Sequence, residues 1–249
     1  MEKRTLLLLT ATVAPMVSVS RADPEIRLID YMNALALWWN EFKSEPVDTL
    51  FIENSGYDLK PLYDWIDSVG ASERIRVFQF TAEKDLVLNF GKGAGEAEMF
   101  DECFSRNYIL DYEYVIKSTG RLFISNAKKL LLNTLQTNSD WSISFRRSFD
   151  LVDTRFFIIR AKLFEKYLLD LASEVNDSNG IYLEHAVFKR VCRAIADGYK
   201  WGKFSCLPRY EGISGSDGIK YNSLFGKIKY YTFNLIHRIN VKYGYCRYF

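Results

Sequence analysis

The sequence predicts an α/β protein built on a mainly parallel sheet. Three observations carry that expectation. Short apolar runs alternate with amphipathic stretches over roughly the first half of the chain, the pattern of strands whose faces are covered by helices. Polar clusters containing glycine punctuate those runs: Glu53-Asn54-Ser55-Gly56, Gly91-Lys92-Gly93-Ala94-Gly95-Glu96 and Lys117-Ser118-Thr119-Gly120-Arg121, with a fourth over residues 212–218. Hydrophobic residues make up 48% of the 249 residues, enough for one large domain with a sizeable core.

The elements follow in order. Residues 5–11, containing Leu6-Leu7-Leu8-Leu9, read as a buried first strand. A basic start followed by this apolar run also imitates a signal peptide, with Ser18-Val19-Ser20 as its cleavage site. The run is short and is broken by Thr10, Thr12 and Pro15, which favours the strand. Asp23-Pro24 is a helix start signal, and Ile26, Ile29, Tyr31, Leu35, Leu37 and Trp38 give residues 25–44 an amphipathic pattern. Residues 48–52 form a compact strand, 60–69 a helix and 74–80 a third strand. The Gly91 cluster reads as a loop opening a helix over 96–106. Residues 112–117 are strand-like, and 121–126 continue them past Gly120. In the second half, 141–145 and 154–160 look like strands, 161–175 and 182–196 like helices, and 177–180 like a turn. Residues 1–222 read as the domain and 223–249 as an aromatic, basic helical tail.

Composition excludes several classes. A net charge of +2 argues against general nucleic-acid binding. Cys103, Cys192, Cys206 and Cys246 form no Cys-x-x-Cys pair and there are only two histidines, so a zinc site is not expected. Unpaired cysteines fit a reducing cytosol, and no stretch reaches the length of a membrane-spanning helix. Residues 220–249 hold four Lys, two Arg and no acid. Lys227, Lys229, His237, Arg238 and Lys242 would rim a helix that either lies on an anionic bilayer or packs on the domain. The expected location is cytoplasmic, with peripheral contact at the inner face of the cytoplasmic membrane under the first alternative.

The strand ending in Thr10-Ala11-Thr12, together with Glu53-Asn54-Ser55-Gly56-Tyr57-Asp58, Gly91-Lys92-Gly93-Ala94-Gly95-Glu96 and Lys117-Ser118-Thr119-Gly120-Arg121, resembles GT-A-type glycosyltransferases. These are nucleotide-sugar enzymes built on a single Rossmann-like sheet. More narrowly, the chain resembles bacterial enzymes that make lipopolysaccharide or capsule. The resemblance spans residues 5–220 in element order, with specific motifs only at these islands. It implies a nucleoside diphosphate or CMP-linked sugar donor and a glycan or lipid-linked acceptor.

The resemblance also distributes roles. Thr10 and Thr12 stand where such enzymes hold the nucleotide, although on these residues alone an ordinary strand exit is the better reading. Glu53, Asn54 and Ser55 stand where an acid contacts ribose or base, or else form an Asx-type turn before the next helix. Lys92, Gly93 and Glu96 fall near the donor, where backbone N–H groups and a lysine suit an anion; the alternative is a flexible surface loop. Relatives often carry Asp-x-Asp at the strand end occupied here by residues 117–121, and this chain contains no such triplet. Lys117 and Arg121 are the expected replacements, neutralising the leaving phosphate without a metal; the alternative pairs Arg121 with Asp111 or Glu113. The resemblance makes Glu184 the base on the acceptor hydroxyl, ahead of Asp153, with His185 orienting the site or touching phosphate; the alternative is a first-turn helix acid. Arg155 and Arg160, five residues apart on one strand, face opposite sides, so one alone reaches the cleft. Ser214, Ser216 and Lys220 lie in a glycine-rich segment suited to closing over a donor. Transfer is expected to invert the anomeric centre, with no divalent metal. The alternatives are a nucleotidyltransferase and a non-catalytic interaction scaffold.

Overall fold

The computed structural model describes residues 4–146, 149–214, 218, 220–221, 230–237 and 239. The strands are β1 (Thr5–Ala11), β2 (Val47–Glu53), β3 (Ile75–Gln79), β4 (Tyr114–Thr119), β5 (Leu122–Ile124), β6 (Trp141–Phe145), β7 (Val152–Arg160), β8 (Trp201–Gly202) and β9 (Tyr210–Gly212). The α-helices are α1 (Pro24–Phe42), α2 (Lys60–Ser68), α3 (Lys84–Phe90), α4 (Lys92–Ser105), α5 (Ala127–Gln136), α6 (Ala161–Leu168) and α7 (Leu183–Ala196). Seven strands form one sheet in the order β3-β2-β1-β4-β7-β6-β8. Only β7 runs against the others, pairing antiparallel with both β4 and β6. The expected α/β fold with a mainly parallel sheet is therefore what forms.

The leucine run explains the layers. Successive side chains of a strand alternate between faces. Leu6 and Leu8 enter one core with α4, α6 and α7; Leu7 and Leu9 enter another with α1, α2 and α5. Each strand-to-strand crossover must cover one of these faces, so a strand with no polar residue between Leu6 and Leu9 can only be central. β7 repeats the arrangement, with Phe157 and Ile159 on one side and Phe156 and Ile158 on the other.

Several expectations need correction. Residues 91–96 are not a loop. Gly91, at φ +96, separates α3 from α4, and Gly93 and Gly95 lie inside α4, where side chains would crowd Val175 and Val87. The sequence pattern misleads because glycine is used here for close helix packing rather than for a turn. Residues 122–124 do not continue β4; β5 leaves the main sheet and pairs with β9. The helix expected over 161–175 ends at Leu168, and Asp170 at φ +57 turns the chain into a 3-10 segment, Leu171–Glu174. On α1, Ile26, Ile29 and Leu37 are exposed and Arg27 takes a buried place on the inner face. α3 and α5 add two helices to the expected set.

Among the described residues, Cys103, Cys192 and Cys206 are free, and no helix is long and apolar enough to cross a membrane. Residues 230–237 are helical. Tyr230, Asn234 and His237, on one side of that helix, bond to Leu207 and Phe204. The expected boundary at 222/223, Cys246, Lys227, Lys229, Arg238 and Lys242 lie outside the described residues.

Candidate functional site

The C-terminal ends of β1, β2 and β4 and the N-terminal end of β7 open onto one edge of the sheet, because β7 runs the other way. A cavity of about 300 Å³ lies there. Of the residues singled out from sequence, Thr10, Thr12, Asn54, Ser55, Lys92, Gly93, Glu96, Arg121, Arg155, Glu184 and Ser214 line it. Lys117, Glu53, Asp153, His185 and Lys220 do not, and Ser216 lies outside the described residues.

Glu53 is saturated by the fold. Its carboxylate accepts from the backbone N–H groups of Val13, Ser55 and Gly56, from the Ser55 hydroxyl, and from Gln79 Nε2. A carboxylate so occupied organises the turn instead of holding ribose, which is the turn alternative. Asn54 bridges Thr12 Oγ1 at 2.6 Å and the Gly95 carbonyl at 3.0 Å. Ser55 Oγ accepts the Ala14 N–H at 3.0 Å. These residues shape the wall of the cavity.

Lys117 departs most from expectation. Its side chain is 0% exposed, with Nζ 2.6 Å from Glu96 Oε1 and 2.6 Å from the Thr154 carbonyl. Its position inside β4 points it into the sheet's helix-covered core, where a lone charge must find a partner. Glu96 also accepts from Thr10 Oγ1 at 2.8 Å. Burial opposes ionisation of Glu96, but Lys117, Thr10 and the Arg121 charge outweigh it and hold the carboxyl below its usual range.

Arg121 behaves differently. It follows Gly120, whose N–H donates to the Thr10 carbonyl at 2.8 Å. A side chain at Gly120 would meet that carbonyl and the Tyr31 ring, so glycine lets β4 turn sharply and aims Arg121 into the cavity. Neither Asp111 nor Glu113 pairs with it; Glu113 binds Arg160 instead. Arg121 Nε and Nη1 are buried and have no hydrogen-bond partner among the described residues.

A second guanidinium, not anticipated, stands near it. Arg27 is 4% exposed and donates to the carbonyls of Thr12 and Arg21 and to Tyr31 Oη. Burial, with the Arg121 charge adding to it, lowers its pKa. Its signal in the sequence was a cation four residues before Tyr31, on the stripe that continues through Leu35 and Trp38. The Arg121 charge lowers the Arg27 pKa, and Arg121 Nε and Nη1 meet no carboxylate among the described residues, so this side of the cavity is suited to an anion.

The opposite side carries acids. Glu184, in the first turn of α7, accepts from Thr154 Oγ1 at 3.0 Å and lines the cavity. Asp177, also unanticipated, accepts the Gly93 N–H at 3.3 Å. His185 does not line the cavity itself: Nδ1 accepts the Tyr182 N–H at 3.0 Å, which caps α7. Asp153 is held by Arg155 Nε at 2.8 Å and Nη2 at 2.6 Å, and by Tyr210 Oη at 2.9 Å. Burial opposes its ionisation, yet Arg155 and Tyr210 keep it below the usual range, so it is a poor base. Arg155, and not Arg160, faces the cleft, as the spacing required. Arg155 Nη1 reaches Tyr221 Oη at 2.9 Å. Ser214 and Tyr221 line the cavity on the return segment after β9.

Glu96 is committed to Lys117 and Asp177 caps α4, and no group of three or more His, Cys, Asp or Glu among the described residues is arranged to hold a metal ion.

No protein-family model and no curated protein matches the sequence. Solved structures do match in fold. A protein assigned as a nucleotide-diphospho-sugar transferase, from Desulfovibrio desulfuricans G20, aligns with TM-score 0.50 at 10% identity, over 82% of this chain and 80% of that one. The galactosyltransferase LgtC, solved with donor and acceptor sugar analogues, gives 0.52 at 8%, over 80% and 72%. The mannosyltransferase PcManGT of Pyrobaculum calidifontis, solved with GDP-Man and Mn2+, gives 0.54 at 9%, over 96% and 63%. The chain has the GT-A fold. In the GT-A frame the cavity occupies the crevice at the carboxyl ends of the parallel strands, where open α/β sheets place their ligands.

Proposed function

We propose that this chain is a glycosyltransferase that moves a sugar from a nucleotide-activated donor to a glycan or lipid-linked acceptor. The observation that carries the reading is Arg121, whose buried Nε and Nη1 have no partner among the described residues, in a cavity at the sheet's carboxyl edge. A desolvated guanidinium without an acceptor costs stability. A phosphate would supply the missing acceptors in the planar, two-pronged geometry that arginine favours.

In the proposed reaction the acceptor oxygen attacks the anomeric carbon. Glu184 takes its proton, and the bond from that carbon to the phosphate oxygen breaks. The electron pair leaves on the phosphate, where Arg121 offsets the developing charge, with Arg27 adding a second positive centre. Lys117 acts indirectly, by keeping Glu96 ionised and the strand ends in place. Attack from the side opposite the leaving group inverts the anomeric centre. The donor is a nucleoside diphosphate sugar or a CMP-linked sugar, and the chemistry is proposed to proceed without a divalent metal.

The setting is proposed to be bacterial lipopolysaccharide or capsule synthesis, in the cytoplasm or on the inner face of the cytoplasmic membrane. The helix over 230–237 supports a peripheral contact, since Tyr231, Leu235 and Ile236 are exposed while its other side is tied to residues 204–207.

A thermal-shift panel of UDP-, GDP- and CMP-linked sugars tests the reading. A true donor at 100 times its Kd stabilises by about 2.7 kcal/mol, a shift of roughly 5 °C or more for a domain of this size. No shift with any of them sinks the proposal. Transfer that vanishes in excess chelator and returns with Mn2+ or Mg2+ would remove the metal-independent step.

A further inference from the structure

Tyr182 lines the cavity two residues before Glu184, yet its side chain stays 45% exposed. Its ring lies against the His185 ring at 5.6 Å between centroids and 27° between planes. His185 Nδ1 also accepts the Tyr182 N–H. The imidazole therefore fixes both the backbone and the ring of Tyr182 at the start of α7. This is a held aromatic surface, in contrast to the buried aromatic pairs of the core. Ile181 beside it, and Leu88 and Phe90 on α3, are exposed as well. α3 packs against the 3-10 segment Asp177–Asn179, and Asp177 and Val87 of these elements line the same cavity as Tyr182.

We infer that Tyr182 is a stacking platform for the acceptor, and that the acceptor is a pyranose presenting a face of C–H bonds to the ring. The inference rests on the transferase reading and names its acceptor subsite. A pyranose is apolar on its faces and polar around its rim, which matches a half-exposed aromatic ring bordered by carboxylates. A sugar lying on Tyr182 would share the cavity with Glu184, the group proposed to take the proton. Arg121 and Arg27 lie on the donor side, so the two substrates meet between a cationic wall and an aromatic, acidic one. A bare lipid alcohol has no rigid ring to lie flat on Tyr182, so the platform favours a sugar as the attacking group even where that sugar is carried on a lipid.

The test compares wild type with Tyr182→Ala and Tyr182→Phe. Binding of methyl glycosides of glucose, galactose, mannose and N-acetylglucosamine is followed by saturation-transfer NMR, and UDP, GDP and CMP binding by thermal shift. Removing the ring weakens the bound glycoside about three- to tenfold, the cost of one aromatic contact, whereas Phe keeps it within about twofold. The nucleotide shift stays the same in all three proteins. No glycoside contact in the wild type, or equal contact in the Ala variant, overturns the platform whether or not nucleotide binds. Loss of the nucleotide shift in the Ala variant also overturns it, by making Tyr182 a general support of the site. A wild type that binds glycoside at Tyr182 but no nucleotide overturns the transferase reading alone and upholds the sugar platform.

Discussion

At the scale of single residues, two cations four positions apart have opposite meanings. Lys117 is enclosed with its carboxylate, and Arg121 is not. Removing one partner of a buried ion pair strands the other, so Lys117→Met is expected to cost about 3–5 kcal/mol in urea unfolding. Arg121→Met removes a guanidinium whose Nε and Nη1 have no acceptor among the described residues, so apo stability should hold or rise, while kcat/KM falls at least about 100-fold. A melting temperature lowered by several degrees in Arg121→Met would show that the arginine is structural. Acid titration separates them further. Glu96 has its pKa depressed below the ordinary 4.5, so its contribution to stability is present above that value and lost as pH falls through the folded value. The urea midpoint of the wild type should drop as pH falls below 4.5, and the Lys117→Met slope there should be shallower. Equal slopes would detach the pH dependence from this pair.

At the scale of elements, the strand ends are set by glycines that cannot be replaced. A methyl at Gly120 would stand 2.9 Å from the Thr10 carbonyl and 3.2 Å from the Tyr31 ring. Gly120→Ala should therefore destabilise the protein by roughly 1–3 kcal/mol and lower transfer more than stability, because it swings Arg121. Circular dichroism melts beside transfer assays check this, and unchanged transfer would detach Arg121's aim from the turn. The same elements mark what could be read from sequence. β1, β2, α2, β6 and the start of α7 were legible, since their apolar periods and caps are local. α4 was not, because Gly93 and Gly95 serve contacts with Val175 and Val87, far away in the chain. Nor was the departure of β5, whose partner β9 lies almost ninety residues on. Among site residues, Arg121 and Glu184 were found through a resemblance. Arg27, Asp177 and Tyr182 were missed because each is brought to the cavity by an element whose direction only the assembled sheet defines.

At the scale of the whole molecule, the exposed side of the helix over 230–237 is apolar and the sequence from 220 onward carries cations without acids. Such a surface should bind vesicles containing phosphatidylglycerol more strongly than neutral ones, and lose that preference as salt shortens the Debye length from about 10 Å at 0.1 M to 3 Å at 1 M. Co-sedimentation measures it, with Leu235→Ser and Ile236→Ser as the weakening variants. Equal partition to neutral and anionic vesicles at low salt would refute the charge contribution.

The clasp of Asp153, Arg155, Tyr210 and Tyr221 sets a timetable for synthesis. The strands β1 to β4, with every partner they have among themselves, are complete when residue 119 has been made. Arg155 appears next, but the tyrosines that sandwich its guanidinium, at 4.3 and 5.4 Å, come more than fifty residues later. Until they leave the ribosome, β5 lacks its partner and one wall of the cavity is missing. A nascent chain halted before Tyr210 should thus carry a folded sheet with an unfinished pocket. The wall of the cavity that Tyr221 lines is completed after the sheet.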